Sequence, residues 1–349
     1  MHVLITNLTL RGHTGTETAT RDIALSLVER NAKVSIFAKR LGRIARKMRG
    51  LEIEVVDRLE DLSEPPDVIH GHHNIPAVAA LAHFPGVPMV WTSRDTRNWF
   101  DRPPLFSRIR KYVVVDELRR NFLVDDHGID GGRVDLVHNG IDLKRFPLSK
   151  TERPQSPRSV CVFSKTHNEV SLVRSVCRER GLSFSAFGRG PGKRTDDPKW
   201  RLAASDIVFA TGRSAIEAMS CGAAVVVADG RGFAGVVTPD NYTAMRDQNF
   251  GRGAFSGPIT RDAVDSAIAS YDQQAARVVR DRVRVESDIE LCVDRYEALY
   301  ESALAAPPVG SADERDEFAA FLADWPARRL GNSLRWRREH ALVEARARG

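Results

Sequence analysis

Short apolar runs alternate with segments of helical periodicity along the first 146 residues of the chain. Several runs, such as KVSIFAK (33–39), are apolar almost throughout, which is typical of strands that helices cover on both faces. Helix-length segments such as TETATRDIALSLVERN (16–31) separate many of them. The alternation therefore predicts an α/β fold with a parallel, doubly wound sheet. The strands predicted in this part are HVLITNL, KVSIFAK, EIEVVD, PDVIHGH, VPMVWTS, YVVVD and RVDLVHN.

The same alternation begins again after a polar stretch rich in proline and serine, PLSKTERPQSPRS (147–159), which has the composition of a linker. The strands predicted beyond it are SVCVFSK, LSFSAFGRG, SDIVFAT and AAVVVAD. A chain of 349 residues is long enough for two such cores. We therefore predict two Rossmann-like domains facing each other across a cleft. The predicted segments are a first domain at 1–148, a linker at 149–158, a second domain at 159–310 and a helical segment at 311–349. The helical segment is interrupted at Pro326, and one possible arrangement packs it back on the first domain.

The charge of the chain narrows the classes of ligand. The net charge is +6 and the pI is about 9.3, which suits an anionic ligand, an acidic membrane surface or nucleic acid. The four cysteines form no CxxC pair, which favours reduced thiols. Arg11 interrupts the N-terminal apolar run too early for a signal peptide, and no apolar run approaches roughly 20 residues. We expect a cytoplasmic protein, at most peripheral at the inner face of the membrane.

The segment TGRSAIEAMSCGAAVVVAD (211–229) places a turn, a short helix and a strand in succession. Gly212 lets the backbone turn closely, and Ser214 is expected to cap the helix. The free N–H groups of the helix and the charge of Arg213 then form an anion site. Glu217 lies about one turn further, within reach of hydroxyl groups near bound phosphates. A nucleoside diphosphate with its ribose fits these groups, and the alternative is a capped amphipathic helix with a solvated Glu217.

Four segments of the chain resemble motifs of one family and occur in its order. The segment 211–229 resembles the "EAMACG-PVV" donor-site segment of retaining GT-B glycosyltransferases of family 4, and VHNGIDLKRF (137–146) resembles their "NG-D--F" segment. DVIHGHHN (67–74) resembles their "DVIHAH" strand end, and residues 12–38 resemble their opening glycine loop and helix. The resemblance implies a GT-B enzyme that uses a nucleoside diphosphate sugar of UDP or GDP type, retains the anomeric configuration and needs no metal or other cofactor. The implied acceptor is a glycan or a lipid-linked glycan in cell-surface polysaccharide synthesis.

Carried over position by position, the resemblance assigns roles to individual side chains. Glu217 corresponds to the acid that hydrogen-bonds the ribose, and Lys165 stands near the family's diphosphate-binding Arg and Lys, although the usual "GR----KG" spacing is absent. Lys165, and Arg94 on the basis of its charge and not of the resemblance, are predicted to be catalytic, since positive charge stabilises a leaving diphosphate. The other residues assigned to the donor are Gly15, Gly188, Arg189, Gly190, Arg213, Ser214 and Ala215. The residues assigned to the acceptor side are His72, His73, Asn74 and Asp95.

Two positions depart from the family pattern. The family commonly has a second acid eight residues before Glu217, where this chain has Phe209, and Arg94 replaces a histidine that usually approaches the reacting sugar. Because arginine stays protonated, Arg94 is interpreted as binding a negative charge on the donor or the acceptor. A structural salt bridge to Asp95 or Asp101 is the alternative. The departures keep two other functions open, a nucleotide-sugar 2-epimerase of the same fold and a catalytically silent protein that binds nucleotide sugars.

Two further clusters admit more than one interpretation. HGHH (70–73) places two histidines on one strand face, but no third ligand accompanies them at a recognisable spacing, so no metal site is predicted. The basic run KRLGRIARKMRG (39–50) has apolar residues at helical spacing. It is either an amphipathic contact with anionic lipid or a surface helix that packs its apolar stripe on the first domain. The run lacks interleaved aromatic residues, so nucleic-acid binding is not predicted.

Overall fold

The computed structural model describes residues 1–12, 14–146, 148, 152–192, 197–308 and 314–323. These residues form two compact units, each built on its own sheet. The first unit comprises residues 1–115, 119–136 and the described residues from Arg295 onward, and the second comprises residues 116–118 and 137–294. The predicted α/β class with two Rossmann-like domains is confirmed.

The first unit contains a sheet of seven strands. They are β1 (His2–Leu10), β2 (Lys33–Leu41), β3 (Glu54–Val56), β4 (Val68–His72), β5 (Met89–Ser93), β6 (Ile109–Val114) and β7 (Val134–Leu136). The helices between them are α1 (Gly15–Glu29), α2 (Arg43–Arg49), α3 (Asn74–His83) and α4 (Glu117–Val124). All neighbouring strands are parallel, in the order β3-β2-β1-β4-β5-β6-β7. The order reverses between β1 and β4, where open α/β sheets bind ligands beyond the carboxyl ends of their strands.

Apolar side chains cover both faces of this sheet. Val3, Leu4 and Ile5 of β1 are fully buried, although successive side chains of a strand point to opposite faces. Trp91 and Tyr112 pack edge-on with ring centroids 6.0 Å apart. Burial of each such large side chain contributes about 1.5–3 kcal/mol. Burial from both sides explains why the strands read as continuous apolar runs in the sequence.

The second unit contains a sheet of five strands. They are β8 (Ser159–Phe163), β9 (Ser183–Phe187), β10 (Ile207–Ala210), β11 (Ala224–Asp229) and β12 (Gly232–Val236). Their order across the sheet is β12-β11-β10-β8-β9. The helices are α5 (Asn168–Glu179), α6 (Lys199–Ala203), α7 (Arg213–Ser220), α8 (Tyr242–Asp247), α9 (Arg261–Ala269), α10 (Gln273–Glu286) and α11 (Ile289–Ala305), which continues into the first unit. β12 is antiparallel to β11 and was not predicted. The order reverses between β8 and β10, so this sheet has its own switch point.

The boundary between the units differs from the predicted linker. The second unit begins at residue 137 because the following segment packs within it. The Ile141 N–H donates to the carbonyl of Ser287 at 2.9 Å, and Phe146 is fully buried in the core of the second unit. Residues 149–151 of the predicted linker lie outside the described residues.

The chain returns to the first unit near its C-terminal end. Residues 314–323 form helix α12, in which Phe321 joins the core of the first unit. Glu317 accepts hydrogen bonds from the N–H of Ser107 at 2.8 Å and from its hydroxyl at 3.1 Å. Pro326 and the second helix predicted in residues 311–349 lie outside the described residues.

The burial of the apolar residues in helix α2 favours the interpretation of the basic run as a surface helix. Strand β2 extends to Leu41, so the helix is shorter than predicted. Ile44, Ala45 and Met48 are buried to 1% exposure or less, whereas the basic residues of the helix are exposed. The apolar stripe therefore packs on the first unit and does not face a lipid surface. Among the described residues, no helix has the length and hydropathy needed to cross a membrane.

Replacement of Met48 by alanine tests this core role. Met48 is fully buried, so Met48→Ala should lower the free energy of unfolding by about 2–5 kcal/mol through lost burial and a residual cavity. Urea denaturation measures this change. The exposed neighbour Arg46 provides the control, since Arg46→Ala should change stability by no more than about 0.5 kcal/mol. Equal effects of the two substitutions would contradict the packing described for α2.

Candidate functional site

The predicted site residues follow the carboxyl ends of the strands. In the first unit the strand order reverses between β1 and β4, which lead into Arg11 and into His73. In the second unit it reverses between β8 and β10, which lead into the segment at Lys165 and into Gly212. Each unit therefore brings its own group of candidate residues to one edge of its sheet.

The loop between β1 and α1 is organised by the carboxylate of Glu17, which the sequence analysis missed. It accepts hydrogen bonds from the N–H groups of Arg11 at 2.8 Å and Thr14 at 2.9 Å, and from the hydroxyl of Thr9. The Thr14 hydroxyl accepts from the Glu17 N–H, which completes a capping box. The spacing of Thr14 and Glu17 was the available sequence signal. Gly15, assigned to the donor, is the first residue of α1 and is exposed.

Three buried histidines end β4 or directly follow it. The ring nitrogens of His70 contact the hydroxyl groups of Tyr300 and Thr92. His73, at a φ of 58°, accepts a backbone N–H at Nδ1 (3.2 Å), so its neutral ring carries the proton on Nε2. Both ring nitrogens of His72 are without a hydrogen-bond partner in the part of the chain that the structure describes. His72 and His73, assigned to the acceptor side, thus lie together at the switch point of the first sheet.

Burial keeps these histidines neutral. It lowers the pKa of His70 to about 3 and that of His73 to about 4, and it holds the pKa of His72 well below the usual 6.5. The positive charge of Arg94 contributes to the lowering in all three cases. A neutral imidazole offers one donor and one acceptor. The end of β4 is therefore suited to hydroxyl groups and not to carboxylates or phosphates.

Charged residues follow β5 at the same edge. Arg94 comes directly after the strand, and its carbonyl accepts a hydrogen bond from Nε of Arg119 at 2.9 Å. Asp95 accepts from the N–H of Thr96 at 2.8 Å and pairs with Arg97 at 3.3 Å. Although burial acts to raise the pKa of Asp95, the charge and hydrogen bonds of Arg97 hold it below its usual value. The edge of the first sheet thus carries permanent charge beside neutral imidazoles.

Asp101 is a second residue that the sequence analysis missed as a site residue. Its carboxyl is 4% exposed, and burial, with the nearby charge of Asp95, raises its pKa to about 8. Oδ1 lies 3.7 Å from Nε2 of His73, and Oδ2 accepts from the amide of Asn98 at 3.1 Å. At neutral pH Asp101 is therefore mostly protonated and forms an uncharged pair with His73. No sequence signal connects the two residues, since they follow different strands.

Asn74 connects the loops after β4 and β5. It is the first residue of α3, and its side-chain amide donates to the carbonyl of Trp99 at 2.8 Å. Its Oδ1 accepts from the N–H of Ile75 at 2.8 Å. Asn74, assigned to the acceptor side, therefore holds the segment after β5 against the start of α3.

The start of α7 differs in detail from the prediction. Gly212 precedes the helix with a φ of 60°, a conformation that favours glycine. The prediction that Ser214 caps the helix is wrong, because the helix begins at Arg213 and Ser214 lies within its first turn. The N–H of Ala215 donates to the carbonyl of Gly212 at 2.9 Å and is engaged within the turn. Of the two backbone N–H groups assigned to an anion, those of Ser214 and Ala215, the Ser214 group is therefore the better placed.

Arg213 and Glu217 form a buried ion pair one turn apart on α7. Nε of Arg213 donates to Oε1 of Glu217 at 3.1 Å, and the two side chains are 9% and 7% exposed. The guanidinium also donates to the carbonyl of Gly140 at 2.8 Å, and the neighbouring Asn139 amide donates to Asn249 at 3.0 Å. The "NG" segment and the "EAM" helix thus meet within the second unit. Arg213 fixes the orientation of Glu217.

The remaining donor residues lie on two loops in close contact. Lys165 is exposed and is the second residue after β8. A Cβ atom at Gly188 would lie 2.3 Å from the carbonyl oxygen of Ser164, and one at Gly190 would lie 1.7 Å from that of Thr166. The two glycines are therefore required for the turn after β9 to approach the loop after β8. Arg189 lies between them and is exposed.

One acid at the edge of the second sheet was also missed. Asp229 ends β11, is 1% exposed and pairs with Arg231, whose Nε lies 3.0 Å from both carboxylate oxygens. The signal available was an acid at the end of a buried strand. No group of three or more His, Cys, Asp or Glu residues among the described ranges is arranged to hold a metal ion.

Comparison with known proteins finds one family model that matches part of this chain. The family model described as Glycosyltransferase Family 4 matches residues 13–145 of this chain. A search of curated proteins finds no match.

Several solved structures share the fold at low sequence identity. A glycosyltransferase from Rickettsia africae ESF-5 is 12% identical, with a TM-score of 0.60 over 88% of this chain and 99% of that chain. Anabaena Alr3699/HepE in complex with UDP is 13% identical, with a TM-score of 0.58 over 86% of this chain and 100% of that chain. WaaG, a glycosyltransferase involved in lipopolysaccharide biosynthesis, is 12% identical, with a TM-score of 0.53 over 85% and 99%. The likeness establishes the GT-B fold.

The lowered pKa of His70 predicts loss of stability in acid. His70 stays neutral in the folded protein down to about pH 3, whereas an unfolded histidine takes up a proton below about pH 6.5. The free energy of unfolding should therefore fall as the pH falls below 6.5, and His70→Gln should reduce this slope by up to about 1.4 kcal/mol per pH unit. Urea denaturation between pH 4.5 and 7 measures the slope. His83→Gln, at an exposed histidine, should leave it unchanged. Identical slopes for the two variants would contradict the buried neutral state of His70.

Proposed function

We propose that this chain, a GT-B glycosyltransferase whose residues 13–145 match family 4, transfers a sugar from a nucleoside diphosphate sugar to a glycan or lipid-linked glycan acceptor. The transfer proceeds with retention of configuration and serves the synthesis of a cell-surface polysaccharide. The observation that carries the proposal is the grouping at the switch point of the second sheet, where a lysine loop, a glycine turn and the start of α7 converge.

The donor would bind across these three elements. Lys165 and Arg189, both exposed, and the start of α7 at Ser214 supply positive charge and N–H donors for a diphosphate. Glu217, one turn into the helix and oriented by Arg213, would accept hydrogen bonds from the ribose hydroxyls. Support comes also from Anabaena HepE, a structural neighbour that is solved with UDP and with UDP-glucose.

The chemistry needs little acid–base machinery from the protein. Charge builds up on the diphosphate as the glycosidic bond breaks, and fixed positive groups stabilise it. The departing phosphate oxygen can accept the proton of the incoming acceptor hydroxyl, so the chain has to align the two substrates. No metal is required in this scheme.

The acceptor would bind at the edge of the first sheet. His72 and His73, which stay neutral, suit sugar hydroxyls, while Arg94 suits an anionic group on the acceptor or donor. WaaG, a neighbour in fold, is a glycosyltransferase involved in lipopolysaccharide biosynthesis, which supports a surface glycan as the product. Contact of the exposed basic residues of α2 with anionic lipid stays a prediction.

A panel of nucleotide sugars tests the proposal. The sugar donor should raise the melting temperature, by an amount set by its concentration relative to Kd, and should be consumed when an acceptor glycan is added. Turnover should persist in EDTA. Binding without transfer or hydrolysis would favour the catalytically silent alternative, and release of a free 2-epimer would favour the epimerase. Absence of binding by UDP and GDP sugars alike would refute the donor site.

Glu217 should contribute strongly to nucleotide affinity. Glu217→Gln keeps the shape of the side chain but removes the charge that accepts ribose hydrogen bonds, so UDP or GDP should bind roughly 10- to 100-fold more weakly, or about 1.5–3 kcal/mol. Titration calorimetry on the folded variant measures the change. Glu301→Gln, at an exposed acid on α11, should bind as the wild type does. Unchanged affinity in Glu217→Gln would remove this residue from the donor site.

Arg94 should matter for turnover more than for folding. Arg94→Lys keeps the charge but loses the planar fork, and Arg94→Ala loses both. Each should lower kcat/KM roughly 10- to 100-fold, the factor that corresponds to about 1.5–3 kcal/mol of charged hydrogen bonding. Melting temperatures should stay close to the wild-type value, and Arg46→Lys on α2 serves as the control. If Arg94→Ala unfolds the protein, or leaves kinetics unchanged on every active substrate, Arg94 has a structural role.

A further inference from the structure

A buried carboxylate lies beneath the loop that carries Lys165. Glu169, in the first turn of α5, is fully buried, and both of its oxygens lie 2.8 Å from Oγ1 of Thr166. The same hydroxyl accepts the N–H of Gly230, which follows β11, at 2.8 Å. Ser164 joins the group, since its hydroxyl lies 3.1 Å from Oγ1 of Thr166 and accepts the Thr166 N–H at 3.1 Å.

The proton positions in this group are fixed by elimination. A backbone N–H can only donate, so Thr166 Oγ1 accepts from Gly230, and its single proton is left for the carboxylate of Glu169. The Ser164 hydroxyl then donates to the remaining lone pair of Thr166 Oγ1. Every polar group of the network is satisfied in this arrangement. The hydroxyl of Thr166 therefore connects the loops after β8 and β11 to the start of α5.

The backbone of the same loop is enclosed from the other side. The contacts of Gly188 and Gly190 leave no room for a Cβ atom against the carbonyls of Ser164 and Thr166. At Gly230 a Cβ atom would lie 2.9 Å from Oε2 of Glu169. The loop 164–167 is thus held between two glycine turns and the buried acid of α5, while Lys165 within it remains exposed.

We propose that the Thr166–Glu169 pair is a positioning device for the donor diphosphate: it fixes the loop 164–167 so that Lys165 faces the phosphates. The proposal rests on the donor site proposed above. Neither residue contacts the substrate, and both act through Lys165 and the backbone of the loop. The acid is suited to this place because a carboxylate in the first turn of α5 interacts favourably with the helix N-terminus and so tolerates burial.

A double-mutant cycle between Thr166 and Lys165 tests the coupling. Thr166→Val has nearly the same shape but leaves the Gly230 N–H and the Glu169 carboxylate without a partner, whereas Thr166→Ser retains the hydroxyl. Affinity for UDP and GDP is measured by calorimetry well below the lowest melting temperature of the set. We expect Lys165→Ala to weaken binding roughly tenfold and Thr166→Val about fivefold, with Thr166→Ser within about twofold of wild type. The double variant should bind no more weakly than Lys165→Ala alone.

The control removes a comparable bond at the opposite edge of the same sheet. Ser159, the first residue of β8, donates to Asp206 at 2.9 Å, and Ser159→Ala should reduce stability without altering nucleotide affinity. If Thr166→Val does not fold, Glu169→Gln takes its place in the cycle with the same expectation.

The outcomes separate this proposal from the proposed function. Wild-type affinity in Thr166→Val, or losses that multiply to about fiftyfold in the double variant, would overturn the coupling while leaving the donor site intact. A wild-type protein that binds neither UDP nor GDP would refute the donor site, and the positioning role with it.

Discussion

Parallel pairing of strands is the constraint on which the rest of the structure depends. All seven strands of the first sheet, and β8 to β11 of the second, run in one direction within their sheet. Each crossover must then return the chain to the amino edge, and every loop that follows a strand emerges at the carboxyl edge. Where the winding reverses, two such loops diverge and leave a crevice. Residues far apart in sequence become neighbours at that edge without any motif that links them.

Buried carboxylates organise this edge in both units. Glu17 holds the loop after β1, Glu169 the loop after β8, Glu217 lies in the helix after β10, and Asp229 ends β11. Each is 6% exposed or less and has a fixed partner, either a backbone N–H, a hydroxyl or an arginine. Hydrogen bonds and ion pairs of this kind offset the cost of burying a polar group. The acids thus allow short polar loops to be rigid.

The sequence predicted the strands of the fold more completely than the contacts between the residues of the site. Continuous apolar runs identify strands that are covered on both faces, and this signal found β1 to β11. It failed for β12, where GFAGV has two glycines in five residues and pairs only at the sheet edge. The pairing of Arg213 with Glu217 is a spacing of one helical turn and could be read from the sequence. The contacts of His73 with Asp101 and of Thr166 with Gly230 join different loops, so they depend on the sheet order and leave no local signal.

The charges divide the two edges by chemistry. At the first sheet, burial removes the charge of three histidines, and Arg94 both reinforces this and supplies a cation that no working pH removes. The proximity of neutral imidazoles to a fixed cation allows hydroxyl groups and one anionic group to be bound side by side. At the second sheet, Lys165 and Arg189 are exposed, whereas Arg213 is paired with Glu217 and orients that acid. Exposed cations suit a diphosphate whose charge rises during the proposed reaction, and a rigid acid suits a ribose that does not change. In the function proposed above, Arg94 would therefore take part in selecting the acceptor at the first unit, and the second unit would stabilise the leaving group.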